Sequence, residues 1–159
     1  MTLHLAFYKA KGTWLNRAVR MVTGSPYSHV ELVFGEGDAP PCFSSDSRAL
    51  GLVRFRKMAL PGDVWDLVEF KVTGEQYIKM MQFAVLEVDR PYDVLGVLRF
   101  VIPRMPAAKG AWFCSALVTA TMQAGGRFPG VDPAQVSPGE LYELVMEEAA
   151  KREIWNARR

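Results

Sequence analysis

The chain has 159 residues, half of them hydrophobic and 23% of them charged. This balance is that of an ordinary globular protein, and it excludes a disordered or low-complexity chain. The 19 basic and 17 acidic residues give a net charge of +2, far from the basic surplus of nucleic-acid-binding proteins. We therefore expect no nucleic-acid partner. No apolar run approaches the roughly 18 residues that a transmembrane helix needs.

The length favours one domain over residues 1–159. The first residues, MTLHLAFYKAKG, lack a basic start, a long apolar stretch and a small-residue cleavage site. No secretory signal is visible in them, so we expect synthesis in the cytoplasm. The sequence leaves the oligomeric state open.

Residues that carry chemistry are scarce. The chain contains two cysteines, Cys42 and Cys114, and two histidines, His4 and His29. It has no C-x-x-C or H-E-x-x-H motif and no glycine-rich phosphate loop, so we expect neither a metal nor a cofactor. Nucleophilic chemistry by a thiol, with a histidine as base, is the remaining possibility.

The first half of the chain alternates like a sheet, with one early helix. Residues 3–8 predict a strand, and Thr13 is a typical N-cap for a helix that Gly24 ends. One face of this helix carries Leu15, Ala18, Val19 and Val22. Further strands are predicted over residues 28–35, 42–46, 50–56 and 64–72.

The second half is helical. Thr73 and Gln76 form a predicted capping box. An apolar stripe follows at helical spacing, made of Tyr77, Met80, Met81, Ala84, Val85 and Val88. Pro91 opens a second predicted helix that extends to about Ile102.

Two further helices are predicted after a loop over residues 103–111. The first covers residues 113–124 and ends at two glycines. The last is opened by Ser137, Pro138 and Glu140, and its buried side carries Leu141, Leu144 and Val145. A run of strands followed by a run of helices predicts an α+β fold.

Cys114 is the better candidate nucleophile because it starts a predicted helix. A helix N-terminus offers unpaired N–H groups and a positive dipole end, which favour a thiolate and an oxyanion. The alternative is a buried cysteine that acts as a small hydrophobic residue. Cys42 follows two prolines on a short strand, and we interpret it as inert.

His29 is the better candidate base. It shares a strand face with Glu31, and a carboxylate beside an imidazole fixes its tautomer and raises its basicity. The alternative is a half-exposed strand whose outer face carries these two residues. We interpret His4 as structural. Four scattered arginines are interpreted as solvated: Arg17, Arg20, Arg54 and Arg56.

Three segments taken together resemble a known superfamily. They are TGSPYSHVELVF, RPYDVLGVL and WFCSALVTATM. They are similar to the circularly permuted branch of the NlpC-type papain-like cysteine peptidases, a group that includes YiiX-like and lecithin:retinol acyltransferase-like proteins. In that branch the histidine strand precedes the cysteine helix, as here. The layout also resembles small proteins encoded by tailed phages and prophages.

The resemblance implies a papain-like fold, an antiparallel sheet packed on helices with the nucleophile at a helix N-terminus. It makes Cys114 the nucleophile and His29 the general base. Glu31 is the predicted third member of the triad, with Ser44, Ser45 and Asp46 as rivals on the next strand. Tyr92, in P-Y-D, resembles the family's tyrosine that lines the site, and Ser44 is a second predicted lining residue.

The implied activity is hydrolysis of an amide bond through an acyl-enzyme, with a peptide of the bacterial cell wall as substrate. The chain departs from the cell-wall enzymes because it shows no targeting module. Two alternatives are a lipid-directed acyltransferase or thioesterase of the same fold, and a non-catalytic phage structural or host-interaction protein.

Overall fold

The computed structural model describes residues 1–46, 51–102, 105–106 and 108–157, with side chains as far as residue 151. Its centre is a five-stranded sheet in the order β4-β3-β2-β1-β5, in which all neighbours are antiparallel. The strands are β1 (Thr2–Tyr8), β2 (His29–Val33), β3 (Pro41–Asp46), β4 (Leu52–Lys57) and β5 (Trp65–Lys71). The predicted start of β4 at position 50 lies outside the described residues.

The helices are α1 (Trp14–Thr23), α2 (Gly74–Glu87), α3 (Cys114–Ala124) and α4 (Pro138–Ala157). A 3-10 helix covers Val94–Phe100, and a short 3-10 turn covers Pro133–Gln135. The predicted helix starts are confirmed, since Thr13, Thr73 and Ser137 each accept a hydrogen bond from the backbone N–H three residues on. The α+β class predicted from the order of elements is therefore confirmed.

Both faces of the central strands are covered. Strand alternation places Leu5, Leu32 and Phe43 on one face, where they join the hydrophobic core that includes most of α3. On the other face a smaller cluster of Ala6, Val33, Cys42 and Trp65 is covered by segment 58–64. As a result every residue of β2 is buried, and the half-exposed strand weighed from the sequence is not what forms.

The helix predicted from Pro91 to Ile102 is wrong in type and in bounds. Pro91 and Tyr92 are extended, because Tyr92 N–H donates to Gly51 O and Trp112 N–H donates to Pro91 O. These partners take the backbone groups that a helix would use. The helical part begins only at Val94, and it is 3-10 in geometry.

The predicted burial of one member of the α2 stripe is also wrong. Val85 is 58% exposed, whereas Met80 and Ala84 are fully buried. Phe83 takes its place, and its ring packs against Trp112 with centroids 6.2 Å apart. The buried face of α2 is therefore narrower than the apolar pattern suggested.

One contact joins the 3-10 helix to the start of α3, and a second holds its other inward side chain. A Cβ on Gly96 would lie 2.9 Å from Phe113 Cβ, so the two segments touch at van der Waals distance. Arg99 turns inward, where it pairs with Asp93 and donates to Ala134 O at 3.2 Å. The position of Phe113, which precedes Cys114, therefore depends on the absence of a side chain at Gly96.

The substitution Gly96→Ala tests this packing. The added methyl group must displace Phe113, so we expect a loss of about 1–3 kcal/mol in the free energy of unfolding, measured in urea. Gly74→Ala, at a helix position with nothing within 4 Å of the new Cβ, is the matched control and should not destabilise the protein. Equal stability of the two variants would contradict the close contact.

Candidate active site

Cys114 is the first residue of α3, and Phe113 is its N-cap. The side chain is buried, with 1% of the residue exposed. Ser115 Oγ donates to Val136 O at 2.6 Å and ties this end of the helix to the segment before α4. The thiol therefore lies at the positive end of a fixed helix, as predicted.

His29 is the first residue of β2 and links two other side chains. Its Nε2 lies 2.8 Å from Glu31 Oε1, and its ring is hydrogen-bonded to Cys114. Because Nε2 faces the carboxylate, Nδ1 is the nitrogen left for the thiol. The structure thus joins the three residues in one row, with the imidazole in the middle.

Arg54 extends this row, a role that the sequence analysis did not predict. Its two terminal nitrogens lie 2.8 and 2.6 Å from the two carboxylate oxygens of Glu31, a bidentate pair. Arg54 is opposite Ser44 in the β3–β4 register. Because Ser44 is small, the guanidinium passes over β3 to reach β2.

The interpretation of the arginines as solvated side chains is wrong for two of them. The Arg54 side chain is only 14% exposed. Arg20 donates to Ala10 O and Lys11 O, so it fixes the loop before α1. Alternation along β4 places Arg54 on the other face of the strand from Val53. Only the register of the strands brings Arg54 to the carboxylate of Glu31.

The charges in this row shift the protonation of its members. Burial alone lowers the pKa of His29, but the charge and hydrogen bond of Cys114, together with Glu31, outweigh it and raise this pKa from 6.5 to about 10. Burial of Glu31 favours its neutral form, yet hydrogen bonds from Arg54 and His29 hold its pKa below the ordinary 4.5. His29 is therefore a cation at neutral pH, between Cys114 and the carboxylate of Glu31.

The rivals for the third position have other partners. Ser44 is fully buried and donates to Val30 O at 2.7 Å, so the structure does not bring it to the site as a lining residue. Ser45 donates to Trp112 O at 2.9 Å. Asp46 lies 3.8 Å from Arg54. Of the four candidates, Glu31 is the residue hydrogen-bonded to His29.

Tyr92 lies beside the row. Burial raises its pKa, and the negative charges of Cys114, Asp46 and Asp93 raise it further. Its phenol therefore stays protonated and able to donate a hydrogen bond. The ring also packs against Phe113, with centroids 5.9 Å apart.

The space beside these residues is small. A cavity of about 20 Å³ adjoins His29, Asp46 and Tyr92, and the start of α1 closes it. That volume holds a single water molecule. A larger groove of about 730 Å³ runs between the end of α1 and α4, but neither Cys114 nor His29 lines it.

A solved structure with a similar fold is described as the metalloprotein yiiX from Escherichia coli O157:H7, DUF1105. The TM-score is 0.56 with 21% sequence identity, and the match covers 83% of this chain and 68% of that chain. No family model matches the chain, and no curated protein matches its sequence. The likeness establishes a YiiX-like, papain-like α+β fold, which is the fold predicted from the three sequence segments.

The structure also bears on metal binding and on membrane spanning. Within residues 1–46, 51–102, 105–106 and 108–157, no three His, Cys, Asp or Glu side chains are grouped to hold a metal ion. Over the same part of the chain, none of the helices has the length and apolar character needed to cross a bilayer.

The substitution Arg54→Gln tests the role of the guanidinium in the row. It leaves the buried carboxylate of Glu31 without its bidentate partner, so we expect a loss of about 3 kcal/mol in the free energy of unfolding. Arg56→Gln, on the same strand face but exposed, is the matched control and should leave stability nearly unchanged. Similar unfolding midpoints in urea for the two variants would show that the pair adds nothing.

The raised pKa of His29 is testable by nuclear magnetic resonance of its imidazole nitrogens. We expect the ring to titrate near pH 10, and Cys114→Ala to lower that pKa because it removes the thiolate charge and its hydrogen bond. The His4→Gln variant assigns the signal to His29. An unchanged titration in Cys114→Ala would disprove the interaction between the two side chains.

The raised pKa of His29 also makes the stability of the protein depend on pH. A group whose pKa is higher in the folded state stabilises the fold fully at a pH below its pKa in the unfolded chain, here 6.5. This stabilisation is lost as the pH rises towards the pKa in the folded state, about 10. The free-energy difference between the wild type and His29→Gln should therefore shrink between neutral pH and pH 10.

Proposed function

We propose that the protein is a thiol hydrolase of acyl groups, with Cys114 as nucleophile, His29 as general acid and base, and Glu31 as the group that orients His29. The observation that carries this proposal is the hydrogen-bonded row from Cys114 through His29 to Glu31. A thiol at a helix N-terminus beside an imidazolium is the arrangement that favours a thiolate.

The mechanism follows from these positions. The Cys114 thiolate attacks the carbonyl carbon of an amide and forms a tetrahedral oxyanion. His29 gives its proton to the leaving amine, so the C–N bond breaks and a thioester remains. Neutral His29 then takes a proton from water, which attacks the thioester and releases the acid and the thiol.

The oxyanion has two candidate donors. The backbone N–H of Cys114 belongs to the first turn of α3, whose N–H groups have no partner within the helix. The protonated phenol of Tyr92 lies near enough to Cys114 to respond to its charge. Glu31, held by Arg54, keeps the imidazole in the orientation that serves both steps.

We propose a peptide of the bacterial cell wall as the substrate, as the resemblance to the NlpC-type peptidases implies. The second candidate is a lipid-directed acyl hydrolase or acyltransferase. It is favoured by the exposed apolar side chains of Val94 and Leu95, which follow Tyr92 closely along the chain. Turnover of cell-wall peptide amides and of long-chain acyl esters, compared on one preparation, separates the two candidates.

Alkylation of the thiols tests the proposed nucleophile without a known substrate. We expect iodoacetamide to label Cys114 at neutral pH, and His29→Ala to slow this labelling at least about tenfold, because the thiolate loses its cation. Cys42 is the internal control. Burial, together with the charge of Glu31, raises its pKa to about 12, so it should stay unlabelled.

Measurement of substrate hydrolysis is the second test of Cys114 as the nucleophile. Cys114→Ala should abolish turnover of whichever substrate is cleaved, while its unfolding midpoint stays close to that of the wild type. Activity that survives this substitution would rule out Cys114 as the nucleophile. Labelling of Cys114 no faster than that of a free thiol, with no hydrolysis of either substrate class, would favour the non-catalytic alternative.

A further inference from the structure

The 3-10 helix and the two residues after it expose several large apolar side chains. We name these five residues, which are 41 to 62% exposed, the apolar ridge: Val94, Leu95, Leu98, Val101 and Ile102. In a 3-10 helix residues three apart lie directly above one another, so Leu95, Leu98 and Val101 stand in one line. Exposed apolar patches of this kind mark interaction sites.

The ridge is held outward by its own helix. Gly96, Val97 and Arg99 face inward, where Gly96 touches Phe113 and Arg99 pairs with Asp93. The apolar residues between them therefore have no route into the core. Burying the ridge within this chain would require breaking the Arg99–Asp93 pair.

Helix α1 continues the exposed apolar surface. It runs beside the 3-10 helix, since its start lines the small cavity with Tyr92 and its end lines the large groove with Phe100. Trp14 and Met21 are 78% and 81% exposed, and Arg17 lies between them on the same helical face. An exposed tryptophan of this kind is typical of a surface that meets the interface of a bilayer.

The exposed charges on the α1 part of this surface are basic. Residues 1–30 contain four basic and no acidic residues, and residues 94–102 contain no acidic residue and one basic residue, Arg99, which is buried against Asp93. All 17 acidic residues of a nearly neutral chain thus lie elsewhere in the sequence. Among the basic residues of this region, Lys11 and Arg17 are exposed. The nearest acidic residues of α4, Glu140 and Glu143, line the groove at the far end of α1.

We propose that the apolar ridge and the outer face of α1 form a docking surface for an anionic lipid bilayer. Leu, Val and Trp side chains enter the boundary between headgroups and acyl chains, while Lys and Arg bind the lipid phosphates. The alternation of apolar and basic groups, with acidic groups absent from both segments, fits a negatively charged apolar interface better than another protein surface.

The position of this surface has a consequence for the site. The start of α1 closes the cavity beside His29, and the 3-10 helix follows Tyr92. Docking would therefore act on the two elements that adjoin His29 and Tyr92. The docking surface itself contains none of the residues of the hydrogen-bonded row, so bilayer binding does not depend on the proposed catalysis.

Flotation of the full chain with vesicles tests the proposal. We expect binding to vesicles of phosphatidylcholine mixed with phosphatidylglycerol, weaker binding to phosphatidylcholine alone, and weakening by salt. The triple variant Leu95→Ser, Leu98→Ser, Val101→Ser should bind the mixed vesicles at least about tenfold more weakly. Its matched control is Ile78→Ser with Leu86→Ser, two residues exposed on α2.

A second variant covers the case in which the triple variant does not fold. Lys11→Ala with Arg17→Ala alters exposed side chains only, and it should remove the preference for phosphatidylglycerol.

Absence of wild-type binding to the mixed vesicles, or equal binding by the ridge and α2 variants, would overturn the proposal. A lipid-free dimer that the ridge substitutions dissociate, with no vesicle binding, would assign the surface to a second copy of the chain instead. Labelling of Cys114 by iodoacetamide is measured separately, so either proposal can fail alone.

Discussion

The buried carboxylate of Glu31 is the constraint on which the site depends. A lone ionised carboxyl inside a protein is costly, and here two cations offset that cost. Arg54 binds both oxygens, and His29 binds one of them. The cation on His29 in turn lies beside Cys114, so the row extends from β4 to the start of α3. The ionisation of Glu31 depends on Arg54 and His29, and the removal of one of these groups changes the protonation of the next.

This arrangement requires that both faces of β2 be covered. The hydrophobic core lies on one side, and segment 58–64 packs over the other with Ala6, Val33, Cys42 and Trp65. In a strand with one wet face, His29 and Glu31 would interact through water, and their hydrogen bond would be weak. Exclusion of water gives the pair its strength. It also leaves a space of the size of a water molecule beside His29.

The 3-10 helix connects the interior to the surface. Its inward residues pack on Phe113, directly before Cys114, while its outward residues form the apolar ridge. The sequence of this region is a long apolar run. One side of the run packs in the core, and the other side remains exposed. The hydropathy of residues 94–102 does not distinguish these sides, and it predicts an ordinary apolar helix there.

The sequence by itself determined the α+β class, the helix caps and the positions of Cys114 and His29, because these depend on local patterns and on a few diagnostic residues. The shared strand face of His29 and Glu31 also follows from alternation alone. The tertiary structure decided which polar residue pairs with His29, since Ser44, Ser45 and Asp46 lie on a neighbouring strand whose register is not local. It also decided the role of Arg54, which reaches Glu31 across an intervening strand. Contacts between distant segments arise from packing and strand register, and neither is encoded in the spacing of residues along one segment.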